Sequence, residues 1–183
     1  MRRGMNLSTD TSAARAKTSG PSELPAPKTA GLSALSGCIL LSMAGASAGI
    51  FWRVDEWYFG LNRPSFAPPN WLFGPVWTLL YVLIGVSLWR AIRSGGLRRD
   101  PGAVGLFAAH WVLNFLWSYL FFGLHRPGWA LAEIALLVAV IAALARRFGR
   151  HDRLAGWLLV PYLAWVSFAT VLNAGFWWLN RAS

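Results

Sequence analysis

VDEWYFGLNRPSFAPPNWLFGPVWTLLY, residues 54–81, runs from a proline-marked loop straight into an uncharged apolar segment that carries tryptophan. Proline is accommodated in the first turn of a helix, where its missing N–H would have no partner anyway, so Pro68 and Pro69 predict a helix start. The stretch that follows, 71–89, has no ionisable side chain except Tyr81 and is long enough to cross a bilayer as a helix. The peptide therefore predicts a membrane protein, and its tryptophans predict an aromatic pocket.

Composition agrees with that reading. The chain has 183 residues, 56% of them hydrophobic and only 13% charged, which leaves too little polar surface for a soluble domain of this length. The single cysteine, Cys38, excludes an intrachain disulfide and a cysteine-rich metal cluster, and its apolar setting reads as packing. The net charge of +10 would suit a nucleic-acid binder, but its distribution fits membrane topology, and no nucleic-acid partner is expected.

Five apolar spans stand out, at about 32–52, 69–89, 103–124, 128–145 and 154–178, with helices expected over 32–52, 69–92, 103–124, 128–147 and 153–178. Hydrophobicity this continuous predicts transmembrane helices, because lipid offers backbone groups no partner outside their own helix. The expected fold is thus an all-α integral membrane bundle of five transmembrane helices over 32–180. Of the 17 lysines and arginines, Arg53, Arg63, Arg126 and Arg181 fall on one side of such a bundle and the rest on the other. In a plasma membrane this bias puts the amino terminus in the cytoplasm.

Residues 1–31 are rich in Ser, Thr, Ala, Pro and Gly and lack apolar periodicity, so they read as a disordered extension. The first span carries Gly45 and Gly49 at a spacing that lets helix backbones approach closely, within one chain or between two.

Three spans place aromatic residues on one face each at helical spacing: Gly74, Trp77 and Tyr81; His110, Asn114, Trp117 and Phe121; and Pro161, Trp165, Ala169, Leu172 and Phe176. Trp77 and Trp117 lie roughly 10–12 Å deep, counted at about 1.5 Å per residue, and Trp165 lies nearer the midplane. Trp52, Trp57, Trp71, Trp129, Trp177 and Trp178 fit an interfacial aromatic belt. For the deeper three, helix packing and a ligand pocket both remain open. Asn114 and Asn173, amides inside the membrane, read as interhelical glue or pocket lining. Glu133, near the start of its span, reads as an interfacial helix-start residue, and His110 has no ligand partner at metal-binding spacing.

Four pieces of the chain, WYFGLNRPSFAPPNWLFGPVWTLLY at 57–81, LNFLWSYLFFG at 113–123, GWALAEIALL at 128–137 and PYLAWVSFATVLN at 161–173, resemble in order and spacing the TspO/MBR family of tryptophan-rich sensory and translocator proteins. The resemblance covers about 37–180. It implies a five-helix bundle, usually a homodimer, with a cavity that binds porphyrins. Carried over by matching motif, the wall would comprise Phe73, Gly74, Val76, Trp77, Asn114, Trp117, Leu124, Trp165, Ala169, Leu172 and Asn173. Leu137 falls outside that wall. The loop carrying Trp57, Asn62 and Pro64 would fold over the cavity as a lid. Where animal members follow the matched Leu-Asn with a tyrosine and then an arginine, this chain has Ala174 and Trp178, which argues against cholesterol as its ligand.

The resemblance thus implies a porphyrin or haem as ligand, with no cofactor required, in transport or sensing within porphyrin metabolism and stress response. Arg53 and Arg63 are candidate partners for its propionates. It also implies two alternatives. One is a light-dependent porphyrin-degrading enzyme using Trp77 and Trp165; the other is a dimeric membrane scaffold without a dedicated ligand. Bacterial outer and mitochondrial outer membranes are homes the resemblance allows.

Overall fold

The computed structural model describes residues 28–44, 51–52 and 54–181. The elements are α1 (Lys28–Met43), α2 (Glu56–Gly60), α3 (Phe73–Arg93), α4 (Gly96–Arg99), α5 (Pro101–Ser118), α6 (Pro127–His151), α7 (Arg153–Trp157) and α8 (Val160–Asn180). No strand occurs among the described residues. Four helical stretches, Asn70–Arg93, Pro101–Gly123, Pro127–His151 and Arg153–Asn180, are long and apolar enough to cross a membrane, and Gly31–Met43 is a shorter apolar helix. The fold is an all-α membrane bundle.

Helix starts follow local chemistry. Pro69 is extended and precedes a 3₁₀ turn over Asn70–Leu72, so the proline signal marks that turn and α3 proper begins at Phe73. Asp100 caps α5 by accepting from the Ala103 amide at 3.1 Å, with Pro101 in the first turn. Asp152 likewise caps α7, accepting from Leu154 and Ala155. Near its loop end α5 loosens into a π turn over Tyr119–Gly123, where the Leu124 amide donates to the Tyr119 carbonyl at 2.8 Å.

Around the bundle α1 packs on α3, α3 also meets α7, and α6 packs against both α5 and α8. α1 and α3 come so close that a Cβ at Gly85 would lie 2.6 Å from Ile39 Cα. The core runs along Ile84, Leu137, Ile141, Leu144, Phe148, Tyr162 and Val166, each 2% exposed or less. Large apolar side chains such as Leu79, Val112, Leu136 and Val171 face outward, the arrangement expected where lipid is the solvent.

The first span starts earlier than the sequence predicts, at Lys28. Gly45, Gly49, Arg53 and residues 1–27 lie outside the described residues. Glu133 stands near the start of α6, as the sequence predicts. It is 8% exposed on the inner face of α6, and neither carboxyl oxygen has a hydrogen-bond partner among the described residues.

Candidate functional site

A cavity of about 430 Å³ lies between α3, α5, α6 and α8, with residues of the long first loop at one end. Phe73, Gly74, Trp77, Thr78 and Tyr81 of α3 form one wall, and Asn114, Trp117 and Ser118 of α5, with Phe122 of the π turn, form a second. Trp165, Val166 and Ala169 of α8 and Ile134 and Leu137 of α6 close the back. Val54, Tyr58 and Asn70 come from the loop side, and Met43 and Trp52 complete the lining. Each wall has its residues because positions three and four apart share a helix face: 74, 77, 78 and 81 on α3, and 165, 166 and 169 on α8.

The polar groups of the wall are mostly committed to one another. Tyr81 donates its hydroxyl proton to Asn114 Oδ1 at 3.2 Å, and Asn114 Nδ2 donates to Tyr162 Oη at 3.1 Å. Trp117 Nε1 donates to Asn173 Oδ1 at 3.0 Å, and Asn173 Nδ2 donates to the Pro127 carbonyl at 2.7 Å. These bonds tie α5 to α3 and α8, and α8 to the start of α6, and hold the aromatic faces in register. Trp77 stacks on Tyr81, centroids 5.4 Å apart at 30°, and meets Tyr162 edge-on. Phe73 meets Trp165 edge-on at 5.7 Å. The Trp165 Nε1 donor is buried and has no partner among the described residues. No side chain among the described lining residues carries a formal charge at neutral pH, so the site favours an apolar, aromatic occupant with few polar anchors.

The loop side is pinned from several directions. Asp55 caps α2 by accepting from the Tyr58 amide at 3.1 Å, and its other oxygen meets His125 Nε2 at 3.0 Å. Trp57 stacks on the His125 ring at 4.2 Å and 17°, so α2 is seated on the turn between α5 and α6. Tyr58 is buried among Phe121, Phe122 and Phe176. Burial pushes its phenol up, an effect partly offset by Arg63. Asn62 exchanges two hydrogen bonds with the Asn180 side chain, its amide donating at 2.9 Å and its carbonyl accepting at 3.0 Å. Pro64 rests on Gly175, where a Cβ would lie 2.7 Å from Pro64 Cγ.

Of the wall residues named from the sequence, Phe73, Gly74, Trp77, Asn114, Trp117, Trp165 and Ala169 line the cavity. Four lie off it. Val76 is turned about 100° from Trp77 and packs into the core. Leu124 follows the π turn and is 45% exposed. Leu172 lies on the Trp165 face two turns farther along, where it packs in the cluster that holds Tyr58 and Phe121. Asn173 spends its amide on Trp117 and Pro127. Of the loop residues, Trp57, Asn62 and Pro64 anchor the loop without lining the cavity, while Val54 and Tyr58 reach it. Leu137, expected outside the wall, is part of it. Trp52 is no mere belt residue: its ring meets Phe115 edge-on at 4.8 Å and lies against Gly123, whose missing Cβ makes room for the indole. Arg63 is engaged within the loop, donating to Asn70 Oδ1 at 2.9 Å and to the Pro68 carbonyl at 3.1 Å.

The opposite end of the bundle is held by charge. Arg147 Nη1 and His151 Nε2 both close on Asp100, at 2.5 and 3.2 Å, and Arg90 pairs with Asp152 at 2.8 Å. The hydrogen bond from His151 is the largest influence on Asp100 and, with Arg147 and the Ala103 amide, holds its carboxyl below the usual carboxylate range. Burial alone would raise the Asp152 carboxyl, but Arg90 and the Ala155 and Leu154 amides bring it below that range.

Comparison with known proteins agrees with this architecture. The TspO/MBR family matches residues 35–179. The chain is 45% identical over 146 residues to the tryptophan-rich protein TspO of Archaeoglobus fulgidus, covering 78% of this chain and 94% of that one. It is 39% identical over 130 residues to the tryptophan-rich sensory protein of Cereibacter sphaeroides, covering 71% and 80%. The translocator protein of Sus scrofa is 37% identical over 140 residues, covering 74% and 82%. Helices, motif order and extent of similarity agree, and the chain belongs to the TspO/MBR family.

Proposed function

We propose that this membrane protein reversibly binds a tetrapyrrole, protoporphyrin IX or haem, in the cavity between α3, α5 and α8, and serves transport or sensing in porphyrin metabolism and stress response. The observation that carries the reading is the wall itself. Trp52, Trp77, Trp117 and Trp165 surround one space of about 430 Å³, and its other described lining residues offer only hydroxyls and amides as polar groups. Indole and phenyl faces suit a flat macrocycle, each aromatic contact contributing about 1 kcal/mol beyond area burial. The ligand's carboxylates would stay at the loop-side mouth, at headgroup level, because the interior supplies no counter-charge from the described residues. Arg63, already bonded within the loop, would have to exchange the Asn70 and Pro68 oxygens for a propionate. The loop that carries α2 acts as the lid. The protein works as a homodimer, with its arginine-rich end cytoplasmic if its home is a plasma membrane. Ala174 and Trp178, the latter under Arg181 at 3.5 Å, leave cholesterol without the tyrosine and arginine of the animal pattern.

The test is tryptophan-fluorescence quenching of the purified protein by protoporphyrin IX, haem and cholesterol side by side. Saturable quenching by the two tetrapyrroles and none by cholesterol is expected. Absence of saturation with either tetrapyrrole would refute the reading.

A second reading, light-driven porphyrin degradation, is favoured by the presence of both Trp77 and Trp165 in the lining of one cavity, where two oxidisable indoles would meet a bound ligand.

A further inference from the structure

We propose that the arginine-rich end of the bundle carries a site for the phosphodiester headgroup of an anionic phospholipid, built by Arg146, Arg150 and Arg153 at the corner between α6 and α7. The last turns of α6 have two charged faces. Arg147 and His151, four residues apart, turn inward and both close on Asp100. Arg146 and Arg150, also four apart, are exposed, and Arg153 follows them around the corner, exposed as well. Asp100 and Asp152, the carboxylates at this end among the described residues, are already held by Arg147, His151 and Arg90. Like charges one turn apart repel, so an anion supplied from outside relieves the corner.

The surface below says which anion. The stripe that carries Arg146 and Arg150 continues toward the middle of α6 as Ala139, Leu136 and Ala132, all exposed. The two alanines beside the protruding Leu136 leave an apolar track that suits an acyl chain. On α7 the exposed Trp157, 65% accessible, stands beside the corner where an indole belongs at the headgroup level. A soluble phosphate would use only the arginines. A phospholipid uses both parts, the guanidiniums gripping phosphate oxygens in pairs and the alanine track carrying a chain. Selectivity for net negative lipid follows from charge, because the choline of phosphatidylcholine offsets its own phosphate.

Native mass spectrometry of the full chain with equal dioleoylphosphatidylglycerol and dioleoylphosphatidylcholine tests this. The parent should retain the glycerol lipid at least about twenty-five-fold better, and Arg150→Gln alone should cut that preference by about fivefold, the size of one arginine near an anionic surface. Arg146→Gln/Arg150→Gln/Arg153→Gln should remove most of the preference, although Arg93, Arg98 and Arg99 remain exposed at the same end, with phosphatidylcholine retention and helical circular dichroism unchanged. Arg126→Gln, exposed at the other end, should change nothing. Equal retention of the two lipids by the parent would overturn the proposal, as would an undiminished preference in both arginine variants. So would displacement of the lipid by an equal concentration of inorganic phosphate.

Discussion

At the residue scale, the chemistry rests on indoles whose positions are fixed by what surrounds them. Trp117 is held through its N–H by Asn173, whereas Trp165 keeps an unpartnered N–H and is oriented by Phe73 and Phe168. Replacing Trp165 with Phe keeps an aromatic face at the wall. Protoporphyrin affinity should then fall by only about threefold to tenfold, the worth of one aromatic contact, while any light-driven porphyrin loss should disappear. Unchanged photobleaching in Trp165→Phe would remove that indole from the photochemistry. Gly175 offers a second test, because an added Cβ would press on the rigid Pro64 ring. Gly175→Ala should unseat the loop at a cost of about 1–3 kcal/mol, read as faster hydrogen exchange at the Asn62 amide. Exchange as slow as in the parent would show that the contact does not hold the loop. Trp77, Trp117 and Trp165 were legible in the sequence because tryptophan well inside a span is poorly explained by an interfacial belt. Leu137 and Ile134 were not, since an apolar residue facing a cavity reads the same as one facing a neighbouring helix.

At the element scale, helices are set by their ends, and most of those ends carried a signal. Pro101 and Pro127 stand in first turns, and Asp100 and Asp152 cap their helices. Asp100 does more than cap, since it also gathers Arg147 and His151 from α6. Its carboxyl is lowered on folding, so it contributes stability above its ordinary value of 3.8 and that contribution is lost as pH falls through the lower folded-state value. Thermal unfolding in detergent should therefore show a parent still more stable than Asp100→Asn at pH 5, with the margin lost only as pH falls below about 4. A margin already gone at pH 5 would contradict the clasp. What the sequence concealed at this scale was irregular backbone. The π turn at Tyr119–Gly123 leaves no periodic mark, yet it sets Phe122 into the wall and leaves Leu124 outside it. The folded-back loop brings Val54, Tyr58 and Asn70 to the cavity through contacts far apart in sequence, which helical spacing does not encode.

At the scale of the whole molecule, lipid is the outer solvent, and the described interior holds a main core, a smaller aromatic cluster around Tyr58 and Phe121, and the cavity. The bundle was legible because uncharged runs of this length have few alternatives in any solvent. The extent of the cavity was not, because it depends on how α3, α5, α6 and α8 pack around it and on how the loop is pinned by His125, Asn180 and Gly175. The central claim is that a tetrapyrrole occupies this space. Ala169 lines it, while Leu136, one position before the wall residue Leu137, is 54% exposed on the outer face of α6. The most direct measurement is a protoporphyrin titration of three proteins, parent, Ala169→Leu and Leu136→Ala, in the same detergent. Filling the cavity in Ala169→Leu should weaken binding by roughly ten- to a hundredfold, in line with an over-packing cost of about 1–3 kcal/mol, and Leu136→Ala should bind as the parent does. If Ala169→Leu binds protoporphyrin as tightly as the parent, the ligand lies elsewhere and the tryptophan faces serve only to pack the bundle.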